Sequence, residues 1–242
     1  MRKYQKFSRD EWRNKCDDDA AFLWHFYEEF DFHTCRFTNC KWVHSKFYRS
    51  SFRESHFIDC TFDDCKFYGQ HTYLGPAKFE RCIFEKCLIK DVQPWKATFI
   101  NTCFPRTQFE NLSFYGVPDD WCTEFDNVDL TKTQFAMTGF NGVDLTTVKL
   151  PTRGIRVFQN ANNEYRRALF AASGADASIT DSQSRLKKCN RRALLILSDS
   201  AETVFDPVGY SEDFLVSILT DPGERADFEA IASEFEVTSR YI

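Results

Sequence analysis

The sequence predicts an all-β solenoid, a coil of very short strands with an N-terminal cap and a C-terminal α-helical region. Three observations lead there. Large apolar residues recur every fifth position through the middle of the chain. A small residue sits two positions before each of them. The interior is to be filled by aromatic rings, since 26 of the 242 residues are Phe and only 2 are Met. A helix would show a period near 3.6 and an ordinary strand a period of 2, so a period of five needs its own geometry.

The large positions run Phe37, Trp42, Phe47, Phe52, Phe57, Phe62, Phe67, then Phe79, Phe84, Ile89, then Phe99, Phe104, Phe109, Phe114, and finally Phe125, Leu130, Phe135, Phe140, Leu145, Leu150. The small positions include Cys35, Cys40, Ser45, Ser50, Ser55, Cys60 and Cys65, and later Ala77, Cys82, Cys87, Ala97, Thr102 and Thr107. The remaining positions are mostly polar. Each unit therefore reads small-in, out, large-in, out, out. The first three positions alternate as a strand does, and two successive outward residues make a corner. Four corners close a square, so roughly twenty residues make one turn, and stacked turns pair their backbones at about 4.8 Å.

These units resemble the pentapeptide-repeat family, whose pattern centres on Leu or Phe with a small residue two positions earlier; TCRFTNCKW (34–42) and DCTFDDCKF (59–67) are close matches. The resemblance covers about Phe30 to Pro151 and implies a right-handed quadrilateral β-helix, here of about six coils over residues 31–151. It specifies a fold rather than an activity, because one fold hosts many functions.

Winding the chain four units per turn stacks Phe37, Phe57, Phe79, Phe99 and Phe140 on a first face. The second takes Trp42, Phe62, Phe84, Phe104, Phe125 and Leu145, and the third Phe47, Phe67, Ile89, Phe109, Leu130 and Leu150. Phe52, Phe114 and Phe135 fall on the fourth. The period breaks at YGQHTYLGP (68–76), DVQPWK (91–96) and YGVPDDW (115–121), and the winding gathers all three along one edge. Repeat proteins often gather insertions on the face that binds. Tyr73, Trp95, Tyr115, Asp119, Asp120 and Trp121 are therefore the candidate partner-binding residues, aromatic anchors flanked by acids. The bland reading is that these loops fold back and cover the edge.

A coil needs its ends covered. Residues 1–30 are read as a helical cap, from the capping-box pattern Ser8-Arg9-Asp10-Glu11 and the helical spacing of Phe22, Phe26 and Phe30. Phe22, Tyr27 and Phe32 also lie five apart, which would instead continue the coil. Beyond Pro151 the period vanishes, and residues 152–242 are read as helical. Segments are expected over about 157–172, from near Asp181, from Ser211 and from Asp221-Pro222. This region could pack on the last coil or form a homodimer.

Composition excludes some functions. Lys+Arg total 31 and Asp+Glu 36, a net charge of -5, too acidic overall for a general nucleic-acid binder. MRKYQKFSRDEW has no apolar core for a signal peptide and no run is long enough to span a bilayer, so the expectation is a cytoplasmic protein with no membrane contact. The 10 Cys then read as free thiols, and the fivefold spacing of Cys35/Cys40, Cys60/Cys65 and Cys82/Cys87 marks inward slots rather than zinc knuckles. Neither the five His nor any phosphate-loop or nucleophile motif points to chemistry, so no catalytic, metal or cofactor residue is assigned and no enzyme is expected. The preferred function is a non-catalytic protein-binding scaffold. The first alternative comes from family members rich in Phe and Cys, which shield type II topoisomerases (DNA gyrase, topoisomerase IV) from quinolones by imitating duplex DNA. Such mimicry needs an acidic surface, yet residues 34–151 hold 14 basic and 14 acidic residues. The second alternative is an enzyme with its site in the C-terminal region. The basic run Lys187, Lys188, Arg191 and Arg192 reads as a solvated helix face.

Overall fold

The computed structural model describes residues 3–116, 122–141, 143–158, 208–211, 226 and 236–237. Through residue 150 they form a parallel β-solenoid with four faces. On the first face Phe37, Phe57, Phe79, Phe99 and Phe125 pair in succession. The second stacks Phe22, Trp42, Phe62 and Phe84, and the bridges Ile83–Cys103–Asp129–Lys149 continue it. The third stacks Phe7, Tyr27, Phe47, Phe67, Ile89, Phe109 and Phe135. On the fourth, Trp12 pairs with Phe32, Ser51 bridges the turns of Asp31 and Tyr73, and Phe114 pairs with Phe140.

Each position of the unit has its physical reason. The large side chains are buried and stack face to face, as Phe47 does on Phe67 at 4.6 Å and Phe57 on Phe79 at 5.0 Å. The small slot is filled by Ser, Thr or Cys because a donor there reaches a carbonyl of the preceding turn. Ser45 Oγ donates to the Phe22 carbonyl at 3.2 Å, Cys87 Sγ to that of Phe62 at 3.2 Å and Thr107 Oγ1 to that of Phe84 at 2.6 Å. A buried hydroxyl or thiol is thereby satisfied. The second residue after the large one turns the corner in the left-handed region, at φ 52° in Asn39, 54° in Asp59 and 50° in Asn101. Asn and Asp tolerate that conformation best.

The expected helical cap over residues 1–30 does not form. Strands at 5–8, 11–13, 16–18, 21–23 and 25–28 continue the coil to the N-terminus, with Arg9, Asn14, Asp19 and Trp24 at left-handed corners. The fivefold reading of Phe22, Tyr27 and Phe32 holds: all three are buried, while Phe26 faces outward over Lys6. Asp17 stands in a large slot of this terminal coil, paired with Lys15 at 3.0 Å, and the Lys15 ammonium lies 3.7 Å from the Trp12 ring centre. A charge pair on the terminal turn discourages end-to-end stacking of coils.

The last turn winds differently from the expectation. Phe125 sits on the first face rather than the second, Phe135 on the third rather than the fourth, and Phe140 on the fourth rather than the first. Leu130 and Leu150 move to the second face with their neighbours Asp129 and Lys149. The cause is the interval from Phe114 to Phe125. It advances the coil by one unit rather than two. Tyr115 bridges directly to Cys122, and Thr123 N–H donates to the Tyr115 carbonyl at 2.6 Å.

Most of the expected C-terminal α-helical region, 152–242, lies outside the described residues. Where it is described, the strand Ile155–Phe158 crosses the expected helix start near Val157, the strand Val208–Ser211 ends where the helix from Ser211 is expected to begin, and residue 226 is helical. Val208–Ser211 adds antiparallel to the last strand of the third face, Gln134–Asn141, and Ile155–Phe158 and Glu236–Val237 follow it. The returning chain thus covers the open edge of that stack.

Candidate functional site: a groove on the fourth face

All three interruptions lie on the fourth face or its corners. The first follows Phe67, where the strand stays extended from Lys66 to Tyr73 and its register shifts between Tyr68 and Thr72. Gly69 is required there: its φ is +97°, and a Cβ would meet the Tyr48 ring at 2.7 Å. In the second, Pro94 is buried in a large slot and Trp95 follows it at the surface, half-buried. At the third, Tyr115 bridges Cys122.

Between them lies a groove of about 340 Å³, lined among others by His71, Asp91, Gln93, Trp95, Asn111 and Tyr115. The Tyr73 ring stands 6.5 Å from that of Trp95, tilted at 57°, and its hydroxyl is 3.3 Å from His71 Nδ1. Asn111 Nδ2 donates to Asp91 Oδ1 at 2.6 Å. The Gln93 Oε1 atom is buried and has no hydrogen-bond partner. Of the residues proposed from sequence, Tyr73, Trp95 and Tyr115 gather at this groove. Asp119, Asp120 and Trp121 lie outside the described residues. Sequence reasoning missed His71, Asp91, Gln93 and Asn111. A signal existed for Asp91 and Asn111, which are twenty residues apart and both two positions after a large residue, hence neighbours in one corner column.

Elsewhere the exterior is a lattice of polar pairs between successive turns. Lys6 meets Glu28 at 2.7 Å, Arg9 meets Glu29 at 2.9 Å and Arg81 meets Asp59 at 2.7 Å. His44 Nδ1 lies 2.8 Å from Asp64, and His56 sits between Arg36 at 3.2 Å and Glu80 at 3.3 Å. Burial pushes His56 below its ordinary pKa, and Arg36 and Lys78 add to the effect. Among the described residues, none of the five imidazoles bonds to a thiol or to a serine or threonine hydroxyl. Such exposed pairs contribute little to stability, because solvent screens them.

Two further groups have chemical potential. Ligand atoms of Glu11, Asp31 and His33 lie within 4.8 Å of one another and could offer donors to a metal ion. Arg13 already holds the Glu11 carboxylate at 3.0 Å, however, and Arg53 lies 3.9 Å from Asp31, so two cations oppose a third. The inward cysteines are buried free thiols. Burial pushes Cys40 up to about 11 and Cys82 and Cys87 well above the ordinary thiol range. Native protein at pH 8 is therefore expected to expose Cys16 to a thiol reagent, while Cys35, Cys40, Cys60, Cys65, Cys82 and Cys87 react only in denaturant. Fast labelling of any of the six in native protein contradicts their inward placement. A raised folded pKa leaves stability intact below the unfolded thiol's value, about 8.5. Stability is then lost as pH rises through the folded value, so alkaline unfolding is expected to set in between about pH 9 and 11.

Residues 31–69 match the family model for pentapeptide repeats in 8 copies. No curated protein matches the chain. Among solved structures it is similar to QnrB1, a plasmid-mediated fluoroquinolone resistance protein, at 13% identity and a TM-score of 0.32, over 59% of this chain and 85% of that one. It is also similar to HetL, a pentapeptide repeat protein involved in heterocyst differentiation regulation from the cyanobacterium Nostoc, at 10% identity and a TM-score of 0.21, over 60% of this chain and 78% of that one. Residues 31–69 thus carry pentapeptide repeats, and the described coil continues the same fivefold corners and four stacked faces on either side of them.

Proposed function

We propose that the protein is a non-catalytic scaffold that binds another protein through the groove of the fourth face. One observation carries this reading: where the coil departs from regularity, Trp95 and Tyr115 line one concavity and Tyr73 stands beside Trp95. Aromatic side chains at the rim of a concavity are the usual anchors of protein recognition. A rigid coil suits the task, because its surface is ordered before the partner arrives and little ordering entropy opposes binding.

The alternative, a DNA-mimicking binder of gyrase or topoisomerase IV, requires an unbroken acidic face. Among the described residues, several carboxylates of one turn meet cations of the next, as at Arg81–Asp59, Lys6–Glu28 and Lys90–Glu110, which interrupts an acidic face and favours the scaffold reading. A gyrase supercoiling assay separates the two: inhibition or quinolone protection at micromolar protein would favour the mimic.

Affinity capture from native lysate with wild type and a Tyr73→Ala/Trp95→Ala/Tyr115→Ala variant tests the scaffold reading. Loss of specific partners by the triple variant, with an unchanged far-ultraviolet spectrum, is the expected outcome; an identical set of partners contradicts it. Trp95→Ala alone is expected to lower stability by less than about 1.5 kcal/mol, since its side chain is only half-buried. A loss equal to that of a core Phe would show that the ring is part of the interior.

A further inference from the structure

We propose that the groove of the fourth face receives an arginine side chain of the partner protein. The inference rests on the scaffold reading and adds the chemistry of what is recognised.

Three features of the lining point to a planar cation. First, among the described residues Asp91 is the one carboxylate in the lining, and none of them there is a lysine or arginine. Its Oδ1 accepts from Asn111, and no ion pair to it is formed among the described residues. The nearest cation in sequence, Lys90, is held by Glu110 on the next turn. Second, Gln93 Oε1 is a buried acceptor without a donor. An unpaired buried acceptor is costly, and Gln93 lines the groove, so a donor there that draws its amide oxygen round gains that hydrogen bond. Third, the rings of Trp95 and Tyr115 line the same space, and Tyr73 stands beside Trp95. A guanidinium offers five N–H donors in a plane that stacks on aromatic faces, so one group can serve the carboxylate, the amide oxygen and the rings together. An ammonium is a compact, strongly hydrated point charge that does not stack, and a carboxylate or phosphate would meet Asp91 with like charge.

Asp91→Asn gives a clean test. Asp91 occupies a left-handed corner at φ 54°, and Asn fills the same slot at Asn39, Asn101 and Asn111. Asn also keeps an oxygen for the Asn111 amide, so the substitution removes the charge and leaves the turn. The probe is the peptide acetyl-Gly-Arg-Gly-amide, titrated into the full-length protein while the Trp95 indole N–H is followed by NMR, with its signal assigned from Trp95→Phe. The control peptide carries citrulline, a neutral near-isostere of arginine, and a second carries lysine. Saturable shifts of the Trp95 signal are expected with the arginine peptide, about tenfold weaker binding with citrulline or with Asp91→Asn, and weaker binding with lysine. Equal binding of the citrulline or lysine peptide, an unchanged affinity in Asp91→Asn, or no shift at Trp95 overturns the proposal. The two readings fail separately. If the arginine peptide does not bind while the triple aromatic variant still loses its partners, the groove binds protein by other chemistry and only the arginine assignment falls. If the partners persist in that variant, the scaffold reading falls whatever the peptide does.

Discussion

Phe62→Ala is expected to destabilise the protein by about 3–5 kcal/mol, read as a fall in the denaturation midpoint in urea. Phe62 is fully buried in the second face. It stacks on Trp42 at 4.9 Å and 12° and on Phe84 at 4.6 Å and 11°. It also meets the edges of Phe67 at 5.5 Å and Phe79 at 6.3 Å. Truncation removes the transfer energy of the ring and leaves a hole in a column whose neighbours cannot close on it. Thr61, Phe62 and Asp63 are held in register with Ile83, Phe84 and Glu85 on one side and Lys41, Trp42 and Val43 on the other. A loss below about 1 kcal/mol, the level of an ordinary surface change, would mean that the column is not packed as described.

Gly75→Ala is expected to cost about 3 kcal/mol, at the upper end of overpacking, and to weaken binding at the groove as well. A Cβ at Gly75 would lie 1.6 Å from the Trp95 carbonyl oxygen and 2.7 Å from the Ala97 nitrogen. Both are backbone atoms, so no rotamer change relieves the clash. The neighbouring Leu74 N–H donates to the Gln93 carbonyl at 3.0 Å, and Ala97 N–H to that of Pro94 at 2.9 Å. The turn that carries Trp95 must therefore move as a unit. A differential scan of Gly75→Ala beside Trp95→Ala separates backbone strain from side-chain loss. Equal melting temperatures for Gly75→Ala and wild type would contradict the close approach.

Much of this architecture is legible because the repeat is strict. Seven uninterrupted units from Phe37 to Phe67 leave only one way to alternate inside and outside, and the Cys and Ser residues two positions earlier mark the slot that faces a carbonyl. The errors arose where the count admits two solutions. The step of eleven from Phe114 to Phe125 fits two units and a spare residue or one unit and six more residues, and the Tyr115–Cys122 bridge and the pairing of Phe125 with Phe99 distinguish them. At the N-terminus, Asp17 and Lys15 stand where a large and a small residue belong and interrupt the period, while the capping box from Ser8 and the spacing of Phe22, Phe26 and Phe30 also fit a helix. For the groove, the aromatic residues announced themselves as breaks in the pattern. Asp91 and Asn111 did not, because a polar residue two positions after the large one is the rule in this chain. Their role comes from standing beside Gln93 and Trp95, which depends on how the turns stack.

Stacking of one unit on its counterpart in the next turn is best tested by the distance along a single face. Spin labels at Arg36→Cys and Glu124→Cys would both point outward from the first face, four rungs apart through His56, Lys78 and Thr98. A narrow distance distribution centred at about 19 Å, four steps of about 4.8 Å, is the result a parallel coil requires. A broad distribution beyond about 35 Å, as a chain without stacked turns would give, would contradict it.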